Sequence, residues 1–91
     1  MIRQVIQVEN RLGLHARAAA KLVRLACRFA SSVHVSREGA NQRIDAKSIL
    51  GVLMLSAAQG TRLVLLIEGE DEAEAGQAIR RLFEERFGEE N

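Results

Sequence analysis

The sequence predicts an α+β chain folded as a two-layer sandwich of sheet and helices. Apolar residues recur first with the period of a strand and then with that of a helix, in the order strand, helix, strand, strand, helix, strand, helix. No linker, repeat or low-complexity segment interrupts that order across the 91 residues. A chain of this length makes one domain, residues 1–91, with a modest core and a surface site rather than a deep cleft.

In "IRQVIQVE", Ile2, Ile6 and Val8 share one parity while Arg3, Gln7 and Glu9 take the other, so the first strand is half-buried. "NRLG" then turns the chain. Ala19, Leu22, Val23, Ala26 and Phe29 or Ala30 recur at three-to-four spacing, which predicts an amphipathic helix over about Ala16 to Phe29. Its other face carries Arg17, Lys21, Arg24 and Arg28, a stripe of one sign that begins beside His15. "SVHVS" alternates, "REGANQ" reads as a hairpin turn around Gly39, and "RID" returns as a short strand. His34 has the parity opposite Val33 and Val35, so it is expected to face solvent and to have no role.

"DAKSILGVLMLSAAQG" opens with cap-type residues, is apolar on every side and ends in a turn at Gln59-Gly60, which predicts a short second helix. "TRLVLLIEGE" holds an uninterrupted apolar run of strand length, suited to a mid-sheet strand covered on at least part of both faces. Asp71 with Glu74 three residues later reads as a capping box. Ala75, Ala78 or Ile79, Leu82, Phe83 and Phe87 then repeat helically until Gly88 stops the run. Gly76 weakens this last helix by up to about 1 kcal/mol.

Composition removes several function classes. The 13 basic and 12 acidic side chains nearly cancel, and no aromatic residue interleaves with the basic ones, so a nucleic-acid partner is disfavoured. The longest uncharged stretch, Ser48 to Thr61, falls short of the roughly 20 apolar residues of a spanning helix. The opening "MIRQVIQV" alternates and lacks an apolar signal core, so a soluble, cytoplasmic protein without membrane insertion is expected. Cys27 stands alone and is expected to be a small buried side chain. With only His15 and His34 besides, no metal site is expected.

His15 falls at or just before the first helical turn, where four backbone N–H groups lack internal partners and the helix dipole presents positive charge. An imidazole with one unprotonated nitrogen is a nucleophile near neutral pH, and a phosphoryl group accepted there would meet those N–H groups. Arg17 adds a guanidinium that matches phosphate oxygens in pairs. Spacing alone leaves the plainer alternative open, in which His15 occupies a turn position and Arg17 is an ordinary exposed helical residue.

Taken together, "GLHARAAAKLV", "KSILGVLMLSAAQGT" and "IEGEDEAEA" resemble the histidine-containing phosphocarrier (HPr) family of the phosphoenolpyruvate-dependent phosphotransferase system, its nitrogen-related branch included. The resemblance covers the whole chain in order. It implies an open-faced sandwich, a four-stranded antiparallel sheet covered on one face by three helices (βαββαβα). It also implies that His15 takes a phosphoryl group from enzyme I, with phosphoenolpyruvate as its source, and gives it to enzyme IIA domains. Arg17 would be the phosphate-stabilising arginine, and Ser48 matches the serine that an ATP-dependent kinase phosphorylates in many members. A serine at a helix start also caps free N–H groups, so Ser48 needs no kinase to justify it. No cofactor is expected, and the chain is expected to be a monomer.

Ile49, Leu50, Val52, Leu53, Met54 and Leu55 offer more apolar surface than one helix can bury against one sheet. By the family's pattern Val52 and Leu55 face the core, leaving Leu50 and Leu53, with Ile49, for partners. Lys21, Arg24 and Arg28 would form a basic rim around that patch, suited to an acidic-rimmed partner. The family motif carries proline where this chain has Ala18, a loss of about 0.4 to 1 kcal/mol of preorganisation at the helix start. Phosphoryl transfer is expected to survive at an altered rate. The ending "LFEERFGEEN" is more similar to the acidic tail of the nitrogen-related branch than to the sugar-transport branch.

Two other readings compete. One is a regulatory binding module controlled mainly by phosphorylation of Ser48, to which His15 would be incidental. The other is a small-molecule-binding domain, which the turn residues disfavour because they supply no convergent polar groups.

Overall fold

In the computed structural model, residues 1–89 are described. The elements are β1 (Ile2–Gln7), α1 (Ala16–Ala26), β2 (Ser32–Arg37), β3 (Ile44–Asp45), α2 (Ile49–Met54), β4 (Arg62–Glu68) and α3 (Glu72–Glu84), followed by a 3-10 turn over Arg86–Gly88. The strands form one antiparallel sheet in the order β1-β4-β2-β3, with the helices on one face as the pattern predicts.

The apolar run of β4 explains its central place. It pairs with β1 (Ile6 opposite Leu63) and with β2 (Val35 opposite Leu65). Leu63, Leu65 and Ile67 point under the helices and are fully buried with Leu22, Ile79 and Phe83. The alternate residues Val64 and Leu66 lie on the uncovered face, where strand neighbours shelter them. His34 pairs with Leu66 in register on that same face and is half-buried beside it rather than fully solvated.

Helix α1 ends at Ala26, three residues before Phe29. Its chain tightens through Arg28 N–H to Leu25 O (3.0 Å) and Phe29 N–H to Ala26 O (3.2 Å). The next two N–H groups, Ala30 and Ser31, then donate to the Asp71 carboxylate at 2.8 and 2.9 Å. The same contacts remove the predicted capping box. Asp71 makes no side-chain bond to α3, because its carboxylate also accepts the Ser31 hydroxyl at 2.5 Å. Glu72 takes the local role instead, accepting from Gly69 N–H at 3.1 Å.

Helix α3 stops at Glu84, ahead of Gly88. Arg86 and Phe87 both adopt φ 56°, a left-handed reversal. That reversal turns Phe87 back into the core, edge-on to Phe83 with ring centroids 4.8 Å apart. Phe87 is therefore a core residue through a break in the helix, not through its continuation. Gly76 faces β1, and a Cβ there would stand 2.5 Å from Gln4 Nε2, the movable end of a flexible side chain. Cys27, just past the end of α1, is exposed, contrary to the buried position expected of it.

Asp71 ties the end of α1 to the start of α3, and its bonds from the Ser31 hydroxyl and the Ala30 and Ser31 N–H groups hold its carboxyl below the usual aspartate value. A depressed folded value means that this stabilisation is complete above about pH 4 and is lost as pH falls below it. Asp71→Asn is expected to lower Tm at neutral pH and to flatten part of the acid limb. Glu72 and Glu89, also depressed, add to that limb. A thermal-unfolding series from neutral to acid pH checks this, and an acid limb unchanged in the variant would contradict it.

Candidate functional site

The site is assembled where the end of β1, the start of α1 and the C-terminal segment meet. Past β1, Val8 N–H bonds Thr61 O (2.9 Å) and Val8 O accepts from Gly60 N–H (2.8 Å), which carries the strand into the turn. Asn10 is fully buried there. Its Nδ2 donates to Gly13 O at 2.7 Å and to Glu89 Oε1 at 3.0 Å. Gly13 N–H returns to Asn10 O at 3.1 Å and closes the turn.

Gly13 has φ 70°, in the left-handed region. A Cβ at Gly13 would stand 2.5 Å from Ala57 O, and the adjacent Leu14 N–H donates to that carbonyl at 2.9 Å. The turn before α1 is thus seated against the loop that follows α2.

His15 is the N-cap of α1, with extended backbone angles (φ −74°, ψ 179°). Its carbonyl accepts from Ala19 N–H at 2.8 Å, and its Nδ1 accepts from Arg17 N–H at 3.3 Å. Nε2 is bonded to the Glu89 carboxylate. A carboxylate only accepts and the Arg17 amide only donates, so the pattern places the ring proton on Nε2 and the lone pair on Nδ1, beside the helix N-terminus.

Glu89 accepts from both Asn10 and His15. Burial alone would raise its carboxyl, but the hydrogen bonds from His15 and Asn10 and the charges of His15 and Lys21 outweigh it, leaving the group below its ordinary value.

Arg17 is exposed one turn from the ring and pairs with no acid among the described residues. Ala18 is buried and adds to the helix start an N–H that proline would lack. Lys21 lies along the same helix, but its ammonium donates to Phe87 O at 2.6 Å, so it holds the C-terminal segment. Arg24 and Arg28 are exposed.

Ser48 caps α2, its hydroxyl accepting from Gly51 N–H at 3.2 Å. Val52 and Leu55 are buried in the core. Leu53 packs partly against it. Leu50 (71% exposed), Met54 (74%), Ile49 (39%) and Leu12 (67%) form the apolar surface.

Of the residues singled out from the sequence, His15 lies in this bonded cluster and Arg17 is exposed beside it, whereas Asn10 and Glu89 were not singled out. Asn10 looked like a turn residue, and only the acidic ending after Gly88 hinted at Glu89. No group of three or more metal-ligating side chains occurs among the described residues.

A family model described as the PTS HPr component phosphorylation site matches residues 2–85. Proteins named phosphocarrier protein HPr from Xylella fastidiosa (strain Temecula1) and Cupriavidus necator are each 48% identical over 89 residues, covering 98% of this chain and 98% of theirs. That from Treponema pallidum is 44% identical over 90 residues, 99% of this chain and 100% of its own. The solved structure of HPr-C-His from Thermoanaerobacter tengcongensis superposes with a TM-score of 0.93 at 42% identity, covering 100% of both chains. An HPr dimer from the same organism gives 0.76 at 42% identity, covering 98% of this chain and 100% of its own.

The seating of Gly13 on Ala57 makes it the least replaceable residue of the turn. Gly13→Ala is expected to lose at least about 1–2 kcal/mol from the left-handed backbone alone, with the Ala57 contact adding to it, and to weaken the Nδ1 contact to Arg17 N–H. Denaturant unfolding and ring 15N spectra of His15 check the pair of effects.

Proposed function

The chain belongs to the HPr family, the phosphocarriers of the phosphotransferase system, and from that membership we propose that His15 takes a phosphoryl group from enzyme I on Nδ1 and passes it to enzyme IIA domains. The observation that carries this reading is the bonding of the ring, with Nε2 tied to Glu89 and Nδ1 turned to the N-terminus of α1. In the transfer, the Nδ1 lone pair forms the new N–P bond while the bond from phosphorus to the enzyme I donor breaks. In this reading the first-turn N–H groups of α1, that of Ala18 among them, and the exposed Arg17 guanidinium would receive the phosphoryl oxygens.

The apolar surface of Ile49, Leu50 and Met54, with part of Leu53, is the docking face in this reading. Arg24 and Arg28 supply basic groups for an acidic partner, and Lys21 supports the face from the tail side. In this reading the chain acts as one domain over residues 1–91 and as a monomer. The proposed place of action is the cytoplasm, where phosphoenolpyruvate is made; no helix among the described residues is long and apolar enough to cross a membrane.

Ser48 supports a regulatory addition to this reading. A phosphoryl group on its hydroxyl would be tolerated at the start of α2 and would place about two negative charges beside Ile49 and Leu50. Ser48→Asp is expected to raise the KM of enzyme I for the carrier while leaving Tm nearly unchanged, and steady-state kinetics beside thermal unfolding check it. Equal KM values would leave Ser48 as a helix cap only.

Incubation with phosphoenolpyruvate and purified enzyme I is expected to add one acid-labile phosphoryl group by intact mass, absent from His15→Ala. Arg17→Ala should slow its uptake by about 10- to 100-fold, the equivalent of one charge-assisted hydrogen bond. A chain that stays unmodified with several enzyme I preparations would overturn the carrier reading and leave a binding module controlled through Ser48.

A further inference from the structure

The C-terminal segment is fixed to the rest of the molecule at three successive points. Phe87 is buried against Phe83, the Phe87 carbonyl accepts the Lys21 ammonium at 2.6 Å, and Glu89 Oε1 accepts Asn10 Nδ2 at 3.0 Å. Asn10 is itself immobilised, because its other donated bond, 2.7 Å long, goes to Gly13 O inside the turn that carries His15. One oxygen of Glu89 is therefore fixed by the same turn that positions the ring, and the other meets Nε2. Asn10 Oδ1 is buried without a partner. The amide is held in place by what its nitrogen donates, at the expense of its oxygen.

We propose that Glu89 is a positioning residue for phosphoryl transfer: its carboxylate keeps the proton on Nε2 of His15 through both half-reactions. This rests on the reading of His15 as the phosphoryl acceptor. On uptake from phosphorylated enzyme I, Nδ1 forms the N–P bond, the bond to the donor breaks, and the ring keeps its Nε2 proton, its new positive charge facing Glu89. On donation the N–P bond breaks, its electron pair returns to Nδ1, and the ring departs as neutral imidazole. Without the carboxylate, Nε2 gives up its proton to water after uptake. Departure would then leave an imidazolate, a far poorer leaving group, unless water first returns a proton. The titratable groups facing Glu89 among the described residues are His15 and Lys21, the latter from α1. Asn10 is its neutral partner.

The test uses the full-length protein with Glu89→Gln, which keeps the size of the side chain but removes its charge and exchanges one accepting oxygen for a donor, and Glu89→Ala, with thermal unfolding to show that both fold. In the unmodified protein, 15N spectra of His15 should show a single Nε2–H tautomer, mixed with the other in Glu89→Ala. After phosphorylation by enzyme I, intact mass should show the adduct of Glu89→Gln outliving the wild-type adduct by about 5-fold near pH 8, with the difference vanishing near pH 5, where water protonates the ring unaided. A tail that merely braced the fold would shift Tm and leave that pH profile unmoved. Adducts of equal lifetime at both pH values, or an unchanged tautomer in Glu89→Ala, would overturn this role alone. No adduct on the wild-type chain would overturn the carrier reading and this role with it.

Discussion

The site depends on one buried amide. Asn10 lies at the end of β1 with no exposure, and its nitrogen binds the turn that carries His15 on one side and the C-terminal segment on the other. A buried polar atom without a partner costs about 1–3 kcal/mol, and Asn10 Oδ1 is such an atom. Holding that amide in the core joins three stretches of chain at the one place where an imidazole needs both nitrogens oriented.

The same logic recurs at the helix ends. Carbonyls at a helix C-terminus lack internal partners, and basic side chains commonly take them up. Here the segment after each helix holds a carbonyl that accepts from a cation elsewhere in the chain. Past α1, Lys47 donates to Phe29 O at 2.9 Å. Past α2, Arg37 donates to Leu55 O and Ser56 O at 2.7 and 2.9 Å. Past α3, Lys21 donates to Phe87 O at 2.6 Å. Ser56, Arg86 and Phe87, the left-handed non-glycine residues, all fall in two of these segments. Tight reversals are held by charge-assisted bonds rather than by glycine alone.

This division explains what was legible in the sequence. The strand parity of "IRQVIQVE", the apolar run of β4 and the three-to-four spacing of α1 are local signals, and they led to the right elements and sheet centre. Boundaries failed where the chain turns onto distant groups: past Ala26 the amides of Arg28 and Phe29 tighten onto Leu25 O and Ala26 O, and those of Ala30 and Ser31 go to Asp71, 41 residues beyond Ala30. His15 and Arg17 could be found because the helix start beside them is local, with the family resemblance supplying the chemistry. Glu89 could not, since it meets His15 across 74 positions and Asn10 across 79, and no periodicity reports such a pairing. Lys21 looked like one more member of a basic stripe until its partner 66 residues away was in view.

If His15 accepts a phosphoryl group as proposed, a carboxylate beside it would ordinarily be a fault, since two anions repel. Here it is not, because the two sides of the ring are built from different parts of the chain. The Nδ1 side is made by backbone: the Gly13 turn seated on Ala57, the N-cap geometry and the amide of Arg17. The Nε2 side is made by side chains of the turn and the tail, Asn10 and Glu89. In the proposed reading, positive helix potential therefore lies on the Nδ1 side that would receive the phosphoryl group, and the acid lies on the far side of the imidazole, where it interacts with the proton instead. With both side chains still partly exposed, at 28% for His15 and 18% for Glu89, that polarity is set before any partner docks. In the proposed reading a partner would then need only to deliver a phosphoryl group or remove one, not to orient the ring.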